Sequence, residues 1–288
     1  MMHESTPYST IVVAVDPTEP GTTALEILRH IANRRGSELL GLFIEDIEIL
    51  AHAQSRLARE VILSGIERPL KLSDLERQLR AQSSEARRRF ERVAAQLGVP
   101  HAFQVSRGEV INELARISSG AQMLLVGVGA ESAVTRVWWS TRIQQLAKAR
   151  VPAVLYAREG WRTGSTVSVV LEKSSDVRSA GDAAARLARA SSSTLTALLL
   201  GEALENQARV QEELASMVDT DALRIRPFDD ENLDLAALCT TLYQENARAL
   251  VMPVRLVSSD PAVVGELLAR TRCALMLVED DQAGDRPA

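Results

Sequence analysis

Short apolar runs alternate with amphipathic stretches along this chain, and the alternation restarts once. Ile11 to Val15 is a continuous aliphatic run ending at Asp16. A run apolar at every position predicts a strand covered on both faces, as in a parallel sheet. Pro17 and Gly21 punctuate a loop. Thr22 to Arg35 has helical spacing through Ala24, Leu25, Leu28, Ile31 and Ala32, with Gly36 as its C-cap. Leu39 to Glu45 predicts a second strand. Asp46 to Asp74 follows, with helical patches, notably Leu50 to Leu63, and a break at Gly65 to Pro69. Leu75 to Leu97 predicts a long amphipathic helix ending at Gly98. Then come a strand at His101 to Ser106, a helix at Glu109 to Ser118 and a strand at Met123 to Val128. A helix at Glu131 to Ala149 and a strand at Ala153 to Ala157 complete the series.

After a polar connection at Arg158 to Ser165, which reads as a linker, the pattern begins again. Strands are predicted at Val167 to Leu171, Leu195 to Leu200, Ala222 to Pro227, Ala249 to Val254 and Ala274 to Val278. Helices are predicted at Asp176 to Ala190, Ala203 to Val218, Glu231 to Asn246 and Asp260 to Thr271. The tail from Glu279 is charged and reads as frayed. Strand–helix alternation of this kind predicts a parallel sheet with helices on both faces. Ile11–Asp16 aligns with Val167–Glu172 at an offset of 156, and Leu146–Leu155 with Leu268–Leu277 at an offset of 122. The drop of 34 comes largely from Asp46–Asp74, which the second half lacks. The chain is therefore an internal duplication: residues 8–158 with a helical insertion at 46–74, then 166–280. Two such copies could pack as an intramolecular pseudo-dimer, with or without further homodimerisation.

Composition narrows the chemistry. With 288 residues, 46% hydrophobic and 25% charged, there is apolar material for two cores. Aromatics are only 3%, so those cores must be built of Leu, Val, Ile and Ala. The net charge of −5 gives no sign of a nucleic-acid partner. No apolar run approaches the ~20 residues that span a bilayer, and the polar Met1–Thr10 segment lacks a signal-peptide core. A cytoplasmic location is the expectation. Cys239 and Cys273 stand in apolar stretches without C-x-x-C or metal-ligand spacing.

Taken together, these features resemble the universal stress protein family in its tandem form. The opening strand with Asp16 at its end, the Gly108 turn before a helix, the strand–loop–helix of Leu124–Ala149 and the close at Ala149–Leu155 carry the resemblance. It implies two Rossmann-like domains, each a five-stranded parallel sheet of order 3-2-1-4-5 with helices on both faces. Members of one branch bind ATP through G-x-x-G-x9-G-[S/T] after the fourth strand. Glycines there let backbone N–H groups approach phosphates at a helix N-terminus. Here the positions read Gly127, then Gly129 and Ala130 where the second glycine falls, then Ser140 and Thr141. Asp16, with Pro17 and Thr18, takes the nucleoside side. In the second half Pro253 stands at the position of Gly127 and Glu172 at that of Asp16; proline has no N–H to offer a phosphate. The resemblance thus implies an adenine nucleotide, ATP, in the first domain only.

The remaining features have structural readings. Arg87–Arg89 lies between Glu85 and Glu91 and reads as a solvated helix face. Trp138 and Trp139 read as packing rather than base stacking. Glu45, Asp46 and Glu48 read as caps of the following helix rather than a cation site. His3, His30, His52 and His101 share no metal-ligand spacing. Neither G-x-S-x-G nor a P-loop is present, so no catalytic residue is assigned. Two function classes remain: a nucleotide-binding sensing protein, and a ligand-free module that engages a protein partner through the apolar 46–74 insertion.

Overall fold

A computed structural model describes residues 8–16, 19–32, 36–53, 59–61, 67–69, 72–128, 146, 151–158, 160–161, 164–228, 233–258 and 262–279. The first half supplies strands β1 (Thr10–Ala14), β2 (Glu38–Asp46), β5 (His101–Gly108), β6 (Met123–Val128) and β7 (Ala153–Arg158). The second supplies β8 (Thr166–Leu171), β9 (Thr194–Leu199), β10 (Leu223–Pro227), β11 (Ala247–Pro253) and β12 (Ala274–Val278). All ten join one sheet in the order β10-β9-β8-β11-β12-β7-β6-β1-β2-β5. Counted along the chain, each half runs 3-2-1-4-5. Every pairing is parallel except the central one, where β12 meets β7 antiparallel.

That junction gives the sheet a pseudo-two-fold centre. Leu155 lies opposite Met276, Val154 opposite Leu277 and Ala153 opposite Val278. The sheet register also corrects the sequence alignment of the last strands. Leu124 pairs with Val154 and the equivalent Leu250 with Leu275, an offset of 121 rather than 122. The face test agrees: Ala153, Leu155 and Ala157 share one core layer with Ala274, Met276 and Val278, while Val154 and Tyr156 share the other with Leu275 and Leu277. A one-residue slip would have reversed every side chain. At β1 and β2 the offset is 156 and at β5 it is 122, so the missing 34 residues fall between the second and third strands.

Helices cover both faces. One layer holds α1 (Glu19–Ile31) and α3 (Leu72–Leu97), then α5 (Asp182–Ala190) and α7 (Gln207–Ala215), which follows the short α6 (Gly201–Glu205). Leu28, Phe90, Ala184 and Leu214 are their buried contacts with the sheet. The other layer holds α4 (Val110–Ser118), α8 (Leu235–Gln244), the short α9 (Arg255–Ser258) and α10 (Ala262–Arg270), through Leu114, Leu238 and Leu267, joined by Leu146. The predicted single helices at 203–218 and 260–271 are thus shorter, with α6 and α9 set apart. A wide π turn, Val177–Gly181, opens α5. Gly98, at φ +67°, ends α3 in the left-handed conformation that glycine adopts without a Cβ clash.

Two expectations need correction. Leu50–Leu63 is not one helix: α2 spans only Ile47–Ala53, and Arg59–Val61 (β3) pairs antiparallel with Glu67–Pro69 (β4). The β-branched Val61 fits an extended chain better than a helix, and Pro69 is tolerated at the end of a strand paired on one side. The Arg158–Ser165 connection is not a free linker on its described residues. The Trp161 indole donates to the Arg248 carbonyl at 2.9 Å and its ring lies 5.3 Å from that of His30. Arg248 donates to the Gly164 carbonyl at 2.7 Å. Arg158 donates to the carbonyls of Leu268 and Ala269, the last of α10, at 2.6 and 2.8 Å. Tyr8 donates across the halves to the Ala183 carbonyl at 2.9 Å.

Candidate functional site

In an open parallel sheet the crevice forms where strand order reverses direction, outside the carboxyl ends of the strands. In the first half that point lies between β1 and β6, which pair from Ile11–Met123 to Ala14–Val126. One step further, Val15 stands level with Gly127, which is buried within the fully covered β6, and Asp16 follows as the chain leaves the sheet. Asp16 is pressed against the first turn of α1. A Cβ on Gly21 would meet the Asp16 carboxylate oxygen Oδ1 at 2.8 Å and its amide nitrogen at 2.9 Å, so only glycine lets the helix come this close. The register therefore sets Asp16 and Gly127 at the carboxyl ends of the adjacent strands β1 and β6. Pro17, Thr18, Gly129, Ala130, Ser140 and Thr141 lie outside the described residues, as do Trp138, Trp139 and the predicted 131–149 helix apart from Leu146.

The acids beyond β2 are occupied. Glu45 accepts from Arg107 on the neighbouring β5 at 2.7 Å, and Asp46 accepts from the Glu48 amide at 2.8 Å, capping α2. Among the described residues no group of three or more His, Cys, Asp or Glu could hold a metal ion. Arg88 and Arg89 both pair with Glu85, at 2.6 and 2.9 Å, as a solvated face should.

The second half fills the equivalent crevice with its own side chains. Val169 pairs with Val251, which sets Glu172 and Pro253 at the places of Asp16 and Gly127. Two residues on, where the first half has Gly129, stands Arg255. Its guanidinium reaches Asp176 Oδ1 at 2.9 Å and Oδ2 at 2.7 Å, and Glu172 Oε2 at 3.0 Å. Asp176, only 3% exposed, also accepts the backbone amides of Glu172 and Lys173, each at 2.9 Å. A bidentate guanidinium–carboxylate pair here ties β8, β11 and the start of α5 together. It occupies the crevice at this strand-order reversal, and Pro253 supplies no amide there. Sequence reasoning found Pro253 and Glu172 but missed Arg255 and Asp176. The signal was present, an arginine at a glycine position, but its partner lies 79 residues away in sequence.

No family sequence model and no curated protein sequence matches this chain. Solved structures do. A universal stress protein from Archaeoglobus fulgidus DSM 4304 matches with a TM-score of 0.66 and 12% identity, over 96% of this chain and 97% of that one. A putative universal stress protein from Pseudomonas aeruginosa UCBPP-PA14 matches at 0.55 and 15%, over 95% and 94%. The cytoplasmic domain of a prokaryotic cation chloride cotransporter matches at 0.54 and 12%, over 96% and 97%. Identities this low speak to architecture, and the coverage spans both halves. This chain has the universal stress protein fold along its full length.

Proposed function

We propose that this chain is a stress-response or sensing protein of the universal stress protein type that takes one adenine nucleotide, ATP, in its first half. It acts by binding and release, not by chemical turnover. The observation that carries the reading is the asymmetry between two topologically equivalent crevices. In the second, Arg255 bridges Asp176 and Glu172. In the first, Asp16 and Gly127 lie at the ends of the adjacent strands β1 and β6, and the residue at the arginine position is glycine. Backbone amides around Gly127, Gly129 and Ala130 would hold the phosphates, with Ser140 and Thr141 hydroxyls beside them and Asp16, Pro17 and Thr18 at the nucleoside. The reading places the protein in the cytoplasm, in keeping with the lack, among the described residues, of any helix long and apolar enough to cross a membrane.

Titration calorimetry with ATP and magnesium, beside native mass spectrometry of the purified chain, tests this. One nucleotide per chain is expected, lost in Gly127→Trp and retained in Arg255→Met. No binding at millimolar ATP would sink the proposal. A second reading then takes over: a protein-docking module acting through the insertion. Ile47 and Ile49 on α2, 44% and 50% exposed, favour it.

A further inference from the structure

Both cysteines of this chain line a single cavity, on the helical face of the second half. Its volume is about 430 Å³, within the ~300–1,000 Å³ that small-molecule sites span. Ala247 and Cys273, at the amino ends of β11 and β12, join Cys239, Leu242 and Tyr243 of α8 and the segment Arg270–Arg272 in forming it. The Cys273 thiol donates to the Ala247 carbonyl at 3.1 Å. Burial pushes that thiol up to about 11 and raises Cys239 as well. Both are mostly protonated near neutral pH, so they act chiefly as soft apolar wall and alkylate slowly.

The charges at the mouth are unequal. Arg270 is paired with Glu266 at 2.9 Å. Asp234, at the head of α8, is taken up by the amides of Ala236 and Ala237 at 3.0 and 3.1 Å. Arg272 is exposed and has no ion-pair partner among the described residues. Asn246, at φ +50°, ends α8 in the left-handed conformation common for asparagine at a helix terminus and lines the cavity wall. The Tyr243 ring stands at the rim, 80% exposed. The result is a hollow of mixed polar and apolar lining, with one guanidinium that has no ion-pair partner among the described residues.

We propose that this cavity binds a small organic monoanion, a carboxylate on a compact aromatic or aliphatic body. Arg272 takes the carboxylate; Leu242, Ala247 and the two thiols take the body. The site is independent of the nucleotide crevice, and its failure leaves that reading untouched.

The test uses benzoate as probe and benzyl alcohol as its neutral counterpart on the full chain. Saturation-transfer NMR reads binding directly, and alkylation of Cys239 by N-ethylmaleimide, followed by intact mass, locates it. Benzoate should give saturable transfer and slow Cys239 labelling severalfold. Arg272→Gln should raise the benzoate concentration needed by about tenfold, the size of one charge-assisted contact, while its thermal unfolding stays at the wild-type midpoint. No transfer at tens of millimolar, equal protection by benzyl alcohol, or an Arg272→Gln protein that binds as wild type would each overturn the proposal.

Discussion

Replacing Arg255 with Met keeps most of the aliphatic stem and removes the guanidinium from a buried carboxylate. Removing one partner of a buried ion pair costs about 3–5 kcal/mol, because the other charge is left in a poor solvent. Here the cost is moderated. Asp176 keeps two amide donors at 2.9 Å, and Arg255 itself is 23% exposed. The Glu172 contact, on a side chain 38% exposed, adds little. A loss of about 2–4 kcal/mol follows. With an unfolding entropy of about 2.1 cal/mol/K per residue, about 3 kcal/mol lowers the Tm of a chain this long by about 5 °C. Urea unfolding of Arg255→Met, Asp176→Asn and the double variant measures it. The double variant should be more stable than the sum of the single losses predicts, by about 1–3 kcal/mol. A loss below about 0.5 kcal/mol in Arg255→Met, or strict additivity, would refute the view that this pair closes the second crevice.

Two further outcomes follow from buried polar groups. Tyr156 is fully buried at the centre of the sheet and its hydroxyl has no hydrogen-bond partner among the described residues, so Tyr156→Phe should be neutral or stabilising by up to about 1 kcal/mol in urea unfolding; a clear destabilisation would show that the hydroxyl is satisfied after all. His30 is held below its ordinary value of 6.5, first by burial and then by Arg248 and Arg29. The unfolded chain therefore binds a proton at higher pH than the folded one, and stability present above pH 6.5 should fall as pH drops below it. Urea midpoints between neutral and mildly acid pH should show a shallower decline in His30→Asn, and an unchanged slope would discount the histidine.

Much of this protein could be read from the residues alone. Continuous aliphatic runs such as Met123–Val128 marked strands covered on both sides, because a parallel strand between helical layers has no polar face. The restart of the pattern at Val167, and the 34 residues present only once, followed from local periodicity. Asp16, Gly127 and Pro253 stood out as strand-end residues through the family resemblance, and the sheet registers put them at equivalent strand ends. The sequence did less well wherever the answer depended on a distant partner. Nothing in Arg255 announces Asp176, and only the parallel registers of β8 with β11 bring them within hydrogen-bond reach. The offset of the last strand was one residue out because conserving residue type along it looks equally good in either register, whereas the antiparallel β7–β12 junction, with its two opposite core layers, permits only one. Likewise the cysteines, 34 positions apart in the sequence, share a cavity only because α8 folds back over the amino ends of β11 and β12. Short-range order is written in periodicity and turn chemistry; which ends meet, which faces bury and which charges cancel were decided by the sheet.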